Sequence, residues 1–218
     1  MLELGFKALG AYLLGSVIGS LLLGTLRGVD IRTQGSGNAG ATNALRTQGK
    51  AFAIGTALID FGKGVFAAAV IAPIGWSAGG ALTLIETQLA CGLAASIGHC
   101  YPLFHGFRGG KGAGTLFGML AWLFPLVALA VLALWLLVLT TTGYVGLGTV
   151  IAGIAFPIAL YLMQGWPGPI LIGLAIAAGA LLVFTHRSNL ARLRDGTEYR
   201  FERARLLARI WGRRSDKR

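Results

Sequence analysis

Long apolar runs separated by short polar stretches fill most of this chain. The runs cover roughly 4–26, 51–73, 81–99, 113–124, 126–141, 147–163 and 168–185. A helix that crosses a bilayer needs roughly 20 consecutive apolar residues, so the pattern predicts an all-α, polytopic membrane protein. The run 113–124 is short. It reads as a crossing, as a re-entrant segment, or as one long helix continued into 126–141. Pro125 favours a break at that point, because proline removes a helical hydrogen bond.

Loop charges set the expected orientation. Arg27, Arg32, Arg46 and Lys50 lie in the 27–50 loop, Arg108 and Lys111 lie in the 100–112 loop, and the 74–80 loop has no charge. Basic loops stay cytoplasmic. Eleven of the 19 Lys and Arg residues lie from Arg187 onward, where four acidic residues leave a local charge of +7. That tail also belongs in the cytoplasm. Seven spans, with the N-terminus outside and the C-terminus inside, satisfy every loop. Residues 1–218 then form a single integral membrane domain, with 187–218 a basic cytoplasmic tail. Within it, Leu206, Leu207, Ile210 and Trp211 share a helical face among Arg203, Arg205, Arg209 and Arg213, as in an interfacial amphipathic helix.

Composition agrees with this class. The chain has 218 residues, 55% of them apolar and only 12% charged, against about 25% charged in soluble domains. No large soluble domain fits beside the spans. The net charge of +11 fits positive-inside topology and anionic lipid. Aromatic residues sit mostly in apolar runs, away from the basic ones, which argues against nucleic acid. Cys91 and Cys100 have no metal-site spacing, and three scattered histidines make no metal site. The run Ala8 to Leu26 is longer than a signal-peptide core and lacks a clear cleavage site. Many glycines, such as Gly15 and Gly19, read as close helix contacts.

Three polar stretches carry the candidate chemistry, all expected on the cytoplasmic side. The first runs from Gly35 to Asn43 and on to Arg46. Its small residues expose backbone N–H groups that can cradle an anion. Ser36, Gly37, Asn38, Gly40, Thr42 and Asn43 supply donors and space, and Arg46 supplies a planar cation suited to phosphate. A flexible turn into the next span is the plainer reading. The second runs from Gly98 to Thr115 and centres on Arg108, Gly109, Gly110, Lys111 and Gly112. It lacks P-loop spacing. Ordinary loop charge is the plainer reading here, although glycines flanking Lys111 expose amine and backbone together. The third, Thr185 to Glu198, contains His186, Arg187, Asn189 and Arg192. A basic cluster under lipid headgroups is its plainer reading.

Other ionisable residues remain open. Asp60 and Lys63 lie three apart inside the second run, as an intrahelical pair or as a site. Glu86 reads as an outer-face interfacial residue. His99 reads as a structural histidine or a catalytic one. No histidine is followed five positions on by Asp, and no GxSxG elbow occurs, so the loops offer few general bases.

Taken together, GSGNAGATNALR, GHCYPLFHGFRGGKGAGT and THRSNLARLRDGTE closely resemble the three signature motifs of the bacterial acyl-phosphate-dependent glycerol-3-phosphate acyltransferases, the PlsY family. The resemblance covers nearly the whole chain. It implies a seven-span enzyme of the bacterial plasma (inner) membrane with its active site facing the cytoplasm. The implied reaction moves a fatty acyl group from acyl phosphate to glycerol 3-phosphate, without a thioester donor and without a cofactor. The products are lysophosphatidic acid and phosphate. The resemblance implies that Ser36, Arg46, Lys111, His186 and Asn189 contact phosphate or act in catalysis, and that Thr149 is a further hydroxyl. The chain departs from the family pattern at Gly146, where relatives often carry Ser, and at Thr185, where Arg is common.

The implied partners are the two substrates and membrane lipid, with no nucleic acid, and a monomer suffices. Two rival classes are a transporter of a phosphorylated metabolite and a non-catalytic scaffold. A transporter builds a midplane site from inverted repeats, whereas the polar residues here collect at one face.

Overall fold

The computed structural model describes residues 2–76 and 81–207. These are helical, with no strand among the described residues. The helices are α1 (Leu2–Gly15), α2 (Gly19–Thr25), α3 (Ala41–Thr47), α4 (Lys50–Phe66), α5 (Leu84–Cys100), α6 (Ala113–Leu123), α7 (Pro125–Thr142), α8 (Val145–Gln164), α9 (Pro169–Thr185) and α10 (Arg187–Arg194). Short 3-10 turns occur at Ile31–Thr33, Leu103–His105 and Glu202–Ala204.

The expected apolar runs all became helices, but not all became straight crossings. Among the described residues, three helical segments are long and apolar enough to cross a membrane unaided. They are α7, α8, and α4 extended to Ile71 by the π-helical turn Ala67–Ile71. The first run is broken: α1 and α2 meet at 47° across residues 16–18. The last is bent as well, with α9 and α10 at 50°. The break expected at Pro125 is present, since α6 ends at Leu123 and α7 opens on the proline. With 11 residues, α6 is about 16 Å long at ~1.5 Å per residue, half of a ~30 Å hydrocarbon core. The amphipathic stretch expected near the C-terminus lies partly outside the described residues, at Ile210 and Trp211.

The chain divides into two compact units. The first comprises residues up to 125 with 168–175, and the second 126–167 with the described residues from 176 onward. In the first, α1 lies along α5 and α4 along α6. Backbones touch in both pairs. Any side chain at Gly15 would strike the Ala95 carbonyl, and one at Gly98 would strike that of Tyr12. Gly64 and Gly118 stand in the same relation to Thr115 and Phe61. Apolar solvent supplies no hydrophobic drive between helices, so such close packing is what holds them. Gly19 makes the matching contact of α2 with Thr56 on α4. The core is accordingly built of small residues: Ala11, Ala67, Ala72, Cys91 and Ala95 form one fully buried cluster. Glu86 proves to be a cap, because its carboxylate accepts from the Thr83 backbone N–H at 2.8 Å in a reciprocal box at the start of α5.

In the second unit α8 meets α9 at Gly153 and Gly179, where a side chain at Gly179 would strike the Gly153 carbonyl. Helix α10 packs on α8.

Candidate active site

The 27–47 segment folds over α2 and α4. Ile31 and Ala44 are buried with Phe52 and Ala53 beneath it, and Ala39 is buried with Ile18 and Leu21. The Ser20 hydroxyl donates to the Ala39 carbonyl at 2.8 Å. Asn43 holds the loop from inside. It is 1% exposed, donates from Nδ2 to the carbonyls of Ile31 and Gln34 at 3.0 Å each, and accepts at Oδ1 from the Ser36 backbone N–H at 2.9 Å. All its side-chain polar atoms therefore serve the loop's own backbone. Gly35 and Gly37 take positive φ, at 57° and 72°, which glycine adopts without strain. Ser36 and Gly37 are exposed, while Asn38, Gly40, Thr42 and Arg46 are half-buried. Arg46 occupies the last turn of α3.

The 100–112 segment doubles back on the end of α5. Gly109 N–H donates to the Cys100 carbonyl at 3.2 Å, and Gly110 N–H to the His99 carbonyl at 3.0 Å. At its far end Gly112, with φ of 80°, caps α6. Lys111 stands half-buried one residue before that cap, and Arg108 is exposed. Helix α1 braces the segment through the Tyr12 hydroxyl, which donates to the Tyr101 carbonyl at 2.7 Å. Leu103, Phe104 and Phe107 are exposed, and Phe107 takes an uncommon positive φ of 56°.

The two loops are joined by a residue that sequence reasoning counted only as loop charge. Arg32 is gripped by Asp30 through Nε at 3.0 Å and Nη2 at 2.7 Å. Its remaining nitrogen, Nη1, donates to the carbonyls of His105 and Arg108, at 3.0 Å each. The hydrogen bond from Arg32 holds the Asp30 carboxyl below its usual range. Burial and the Arg32 charge push His105 down, favouring the neutral ring. The sequence held a signal for the Asp30–Arg32 pair, an Asp-x-Arg spacing in a loop, but none for its reach to the second loop.

In the second unit, His186 forms the bend between α9 and α10. It is 6% exposed, and its Nδ1 lies 2.8 Å from the Leu182 carbonyl. A carbonyl can only accept, so Nδ1 carries the proton of this contact. Asn189 donates from Nδ2 to Glu198 at 2.6 Å, and Arg192 donates to the other oxygen of Glu198 at 2.7 Å. The Asn189 side chain fills the space over Gly146, so that a residue larger than glycine there would press on it. Thr149 is 7% exposed. Its hydroxyl donates to the Val145 carbonyl at 3.0 Å and accepts from Trp135 at 3.2 Å, so it is occupied within the helices. Arg187 lies over the Phe184 ring at 4.3 Å.

The first unit thus gathers the two glycine-rich loops with Ser36, Arg46, Arg108 and Lys111, and the second presents His186 and Asn189 on one short helical bend. Comparison with known proteins shows what the chain as a whole is similar to. The family model described as glycerol-3-phosphate acyltransferase matches residues 6–196. A glycerol-3-phosphate acyltransferase of Geobacter sulfurreducens is 40% identical over 88% of this chain and 94% of its own length. One from Aquifex aeolicus is 38% identical over 90% of this chain and 98% of its own. Crystal structures of PlsY, an integral membrane glycerol 3-phosphate acyltransferase, superpose with TM-scores of 0.82 in the glycerol 3-phosphate form and 0.81 in the lysophosphatidic acid form. They share 37% and 36% identity with this chain, and each match covers 94% of it and 98% of the solved chain. The chain belongs to the glycerol-3-phosphate acyltransferase family.

Proposed function

We propose that this protein is an acyltransferase that moves a fatty acyl group from acyl phosphate to glycerol 3-phosphate, giving lysophosphatidic acid and phosphate as the first acylation of phospholipid synthesis. The observation that carries the reading is the pair of glycine-rich loops strapped together by Arg32. They carry cations and exposed backbone at two places, as two phosphate-bearing substrates require.

Acyl phosphate is a mixed anhydride with a good leaving group. The glycerol hydroxyl attacks the acyl carbon, the bond from that carbon to the phosphate oxygen breaks, and phosphate leaves. The hydroxyl proton passes to substrate phosphate, which suits loops with few bases. Arg46, Arg108 and Lys111 hold phosphate and stabilise developing charge. Ser36, Gly37, Asn38, Gly40 and Thr42 orient substrate, and Gly109, Gly110 and Gly112 keep the backbone open. His186 and Asn189 act in the same reaction. Asn43 and Thr149 shape the site through the bonds described above. No cofactor is called for.

The protein sits in the bacterial inner membrane as a monomer, with these loops in the cytoplasm and the N-terminus outside. Seven crossings, the short α6 among them, account for the loop charges. The test is direct. Purified protein in detergent or vesicles receives acyl phosphate and glycerol 3-phosphate without coenzyme A. Lysophosphatidic acid should form with equimolar phosphate. A folded preparation that makes none overturns the reading.

A further inference from the structure

Beneath the second loop lies a cluster of charged side chains that the reaction described above does not use. Asp60 and Lys63 of α4 and His99 of α5 are each 5% exposed or less. Lys63 Nζ lies 3.1 Å from Asp60 Oδ1 and 2.8 Å from His99 Nδ1. It also donates to the carbonyls of Gly15 and Val17 at 2.9 Å each, in the break between α1 and α2. The Gly19 N–H completes the cluster by donating to Asp60 at 3.1 Å.

Nδ1 of the imidazole faces the Lys63 ammonium and, at 3.3 Å, Asp60 Oδ1, so the opposite edge of the ring carries Nε2. That edge of the ring faces Gly110 so closely that any side chain there would overlap it. A side chain at Gly109 would strike the His99 carbonyl and the Pro102 ring. The N–H groups of Gly109 and Gly110 bond to the carbonyls of Cys100 and His99. The two glycines are thus needed because the loop lies flat on His99, and the next residue is Lys111. An intrahelical Asp–Lys pair alone would have neutralised the charges. Here the lysine instead reaches the imidazole and the α1–α2 break, and ionisable groups within membrane segments mark function by default.

We propose that Asp60, Lys63 and His99 are positioning residues, a rigid seat that fixes the height of Gly109 and Gly110 and thereby aims Lys111 at substrate phosphate. The inference rests on the reading that Lys111 holds a phosphate.

The experiment measures kcat, the KM of each substrate and the melting temperature for His99→Ala, Gly110→Ala, the double variant, Asp60→Asn and Lys111→Ala. The seat predicts that His99→Ala and Gly110→Ala each raise the KM of one phosphate substrate at least tenfold, with kcat lowered less than fivefold. Asp60→Asn, nearly isosteric, should shift the same KM in the same direction. The double variant should be no worse than Gly110→Ala alone, because removing the ring relieves the collision. Multiplying effects, or a lowered melting temperature with both KM values unchanged, overturns the seat. If His99→Ala does not fold, His99→Gln takes its place and should show the same KM shift. Lys111→Ala separates the two ideas. Wild-type kinetics in that variant refute the phosphate reading and the seat with it, whereas impaired turnover or a raised KM there beside unmoved seat variants refutes the seat alone.

Discussion

The Nη1 atom of Arg32 donates to the carbonyl of Arg108 at 3.0 Å, so a cation of the first loop fixes the backbone beside a cation of the second. Because Asp30 occupies the other face of the guanidinium, the strap has a fixed length. Arg32→Ala should lower kcat/KM at least tenfold. Its cost in stability should be small, about 1 kcal/mol, because the pair is partly exposed. Arg32→Lys should rescue little, since one compact ammonium cannot reproduce the span of the planar fork, which sets Nε and Nη2 on Asp30 and Nη1 on two carbonyls. Steady-state kinetics beside thermal melting separates the two effects, and wild-type activity in Arg32→Lys would show that charge alone suffices.

Arg46 and Lys111 are the cations assigned to phosphate. Lys111→Ala or Arg46→Ala in correctly inserted protein should cut turnover by about 100-fold or more, on the order of losing one charge-stabilising donor. Near-normal rates in both variants would remove these residues from the mechanism.

Asn43 is a structural element of the site. Asn43→Ala leaves the Ser36 N–H without its acceptor and takes one of two donors from each of the Ile31 and Gln34 carbonyls, which should cost about 1–3 kcal/mol. Asn43→Asp should be at least as harmful, because it sets a carboxylate oxygen against two carbonyls. Melting curves of the purified variants check the size and the order.

The loop strap should weaken in acid. Both groups bind protons less readily in the folded protein than in the unfolded chain, so stability rises with pH in each window. For Asp30 the contribution is complete above the ordinary value of 3.8 and is lost as pH falls through the depressed one. For His105 the folded state favours the neutral ring, so stability declines as pH drops below the ordinary value of 6.5. The melting temperature of the wild type should therefore fall as pH drops below that histidine value, and less so in His105→Gln. Parallel curves for the two proteins would assign the change elsewhere.

Gly146 tests the second unit. Gly146→Ser should press the Asn189 amide away from Glu198 and lower kcat with little effect on KM. An unchanged kcat would mean that Asn189 can give way without loss.

Much of this was legible in the sequence. Apolar runs gave every long helix, since chain length in lipid dictates helix length, and Pro125 marked the break between α6 and α7. Motif spacing located the two loops and the His186–Asn189 bend. The missing parts are those set by contacts far apart along the chain. Nothing local shows that Arg32 reaches the backbone at residues 105 and 108, or that Lys63 reaches residues 15 and 17. Nor does composition reveal that Asn43 and Thr149 face inward, since a polar residue in a glycine-rich loop reads the same whether it meets ligand or backbone. Bends were hidden too. An uninterrupted apolar run from Ala8 to Leu26 carries no proline, and the turn at 16–18 is held from outside by a lysine.

That last contact has a consequence for biogenesis. The carbonyls of Gly15 and Val17 are satisfied by a side chain that is synthesised 46 to 48 residues later. When the first segment enters the bilayer, its bent form has two main-chain oxygens with no partner yet made, and lipid offers none. The nascent segment can lie straight at first and take its bend only when α4 arrives. The bend of the first segment therefore depends on a side chain of a later one, and its final shape waits for α4.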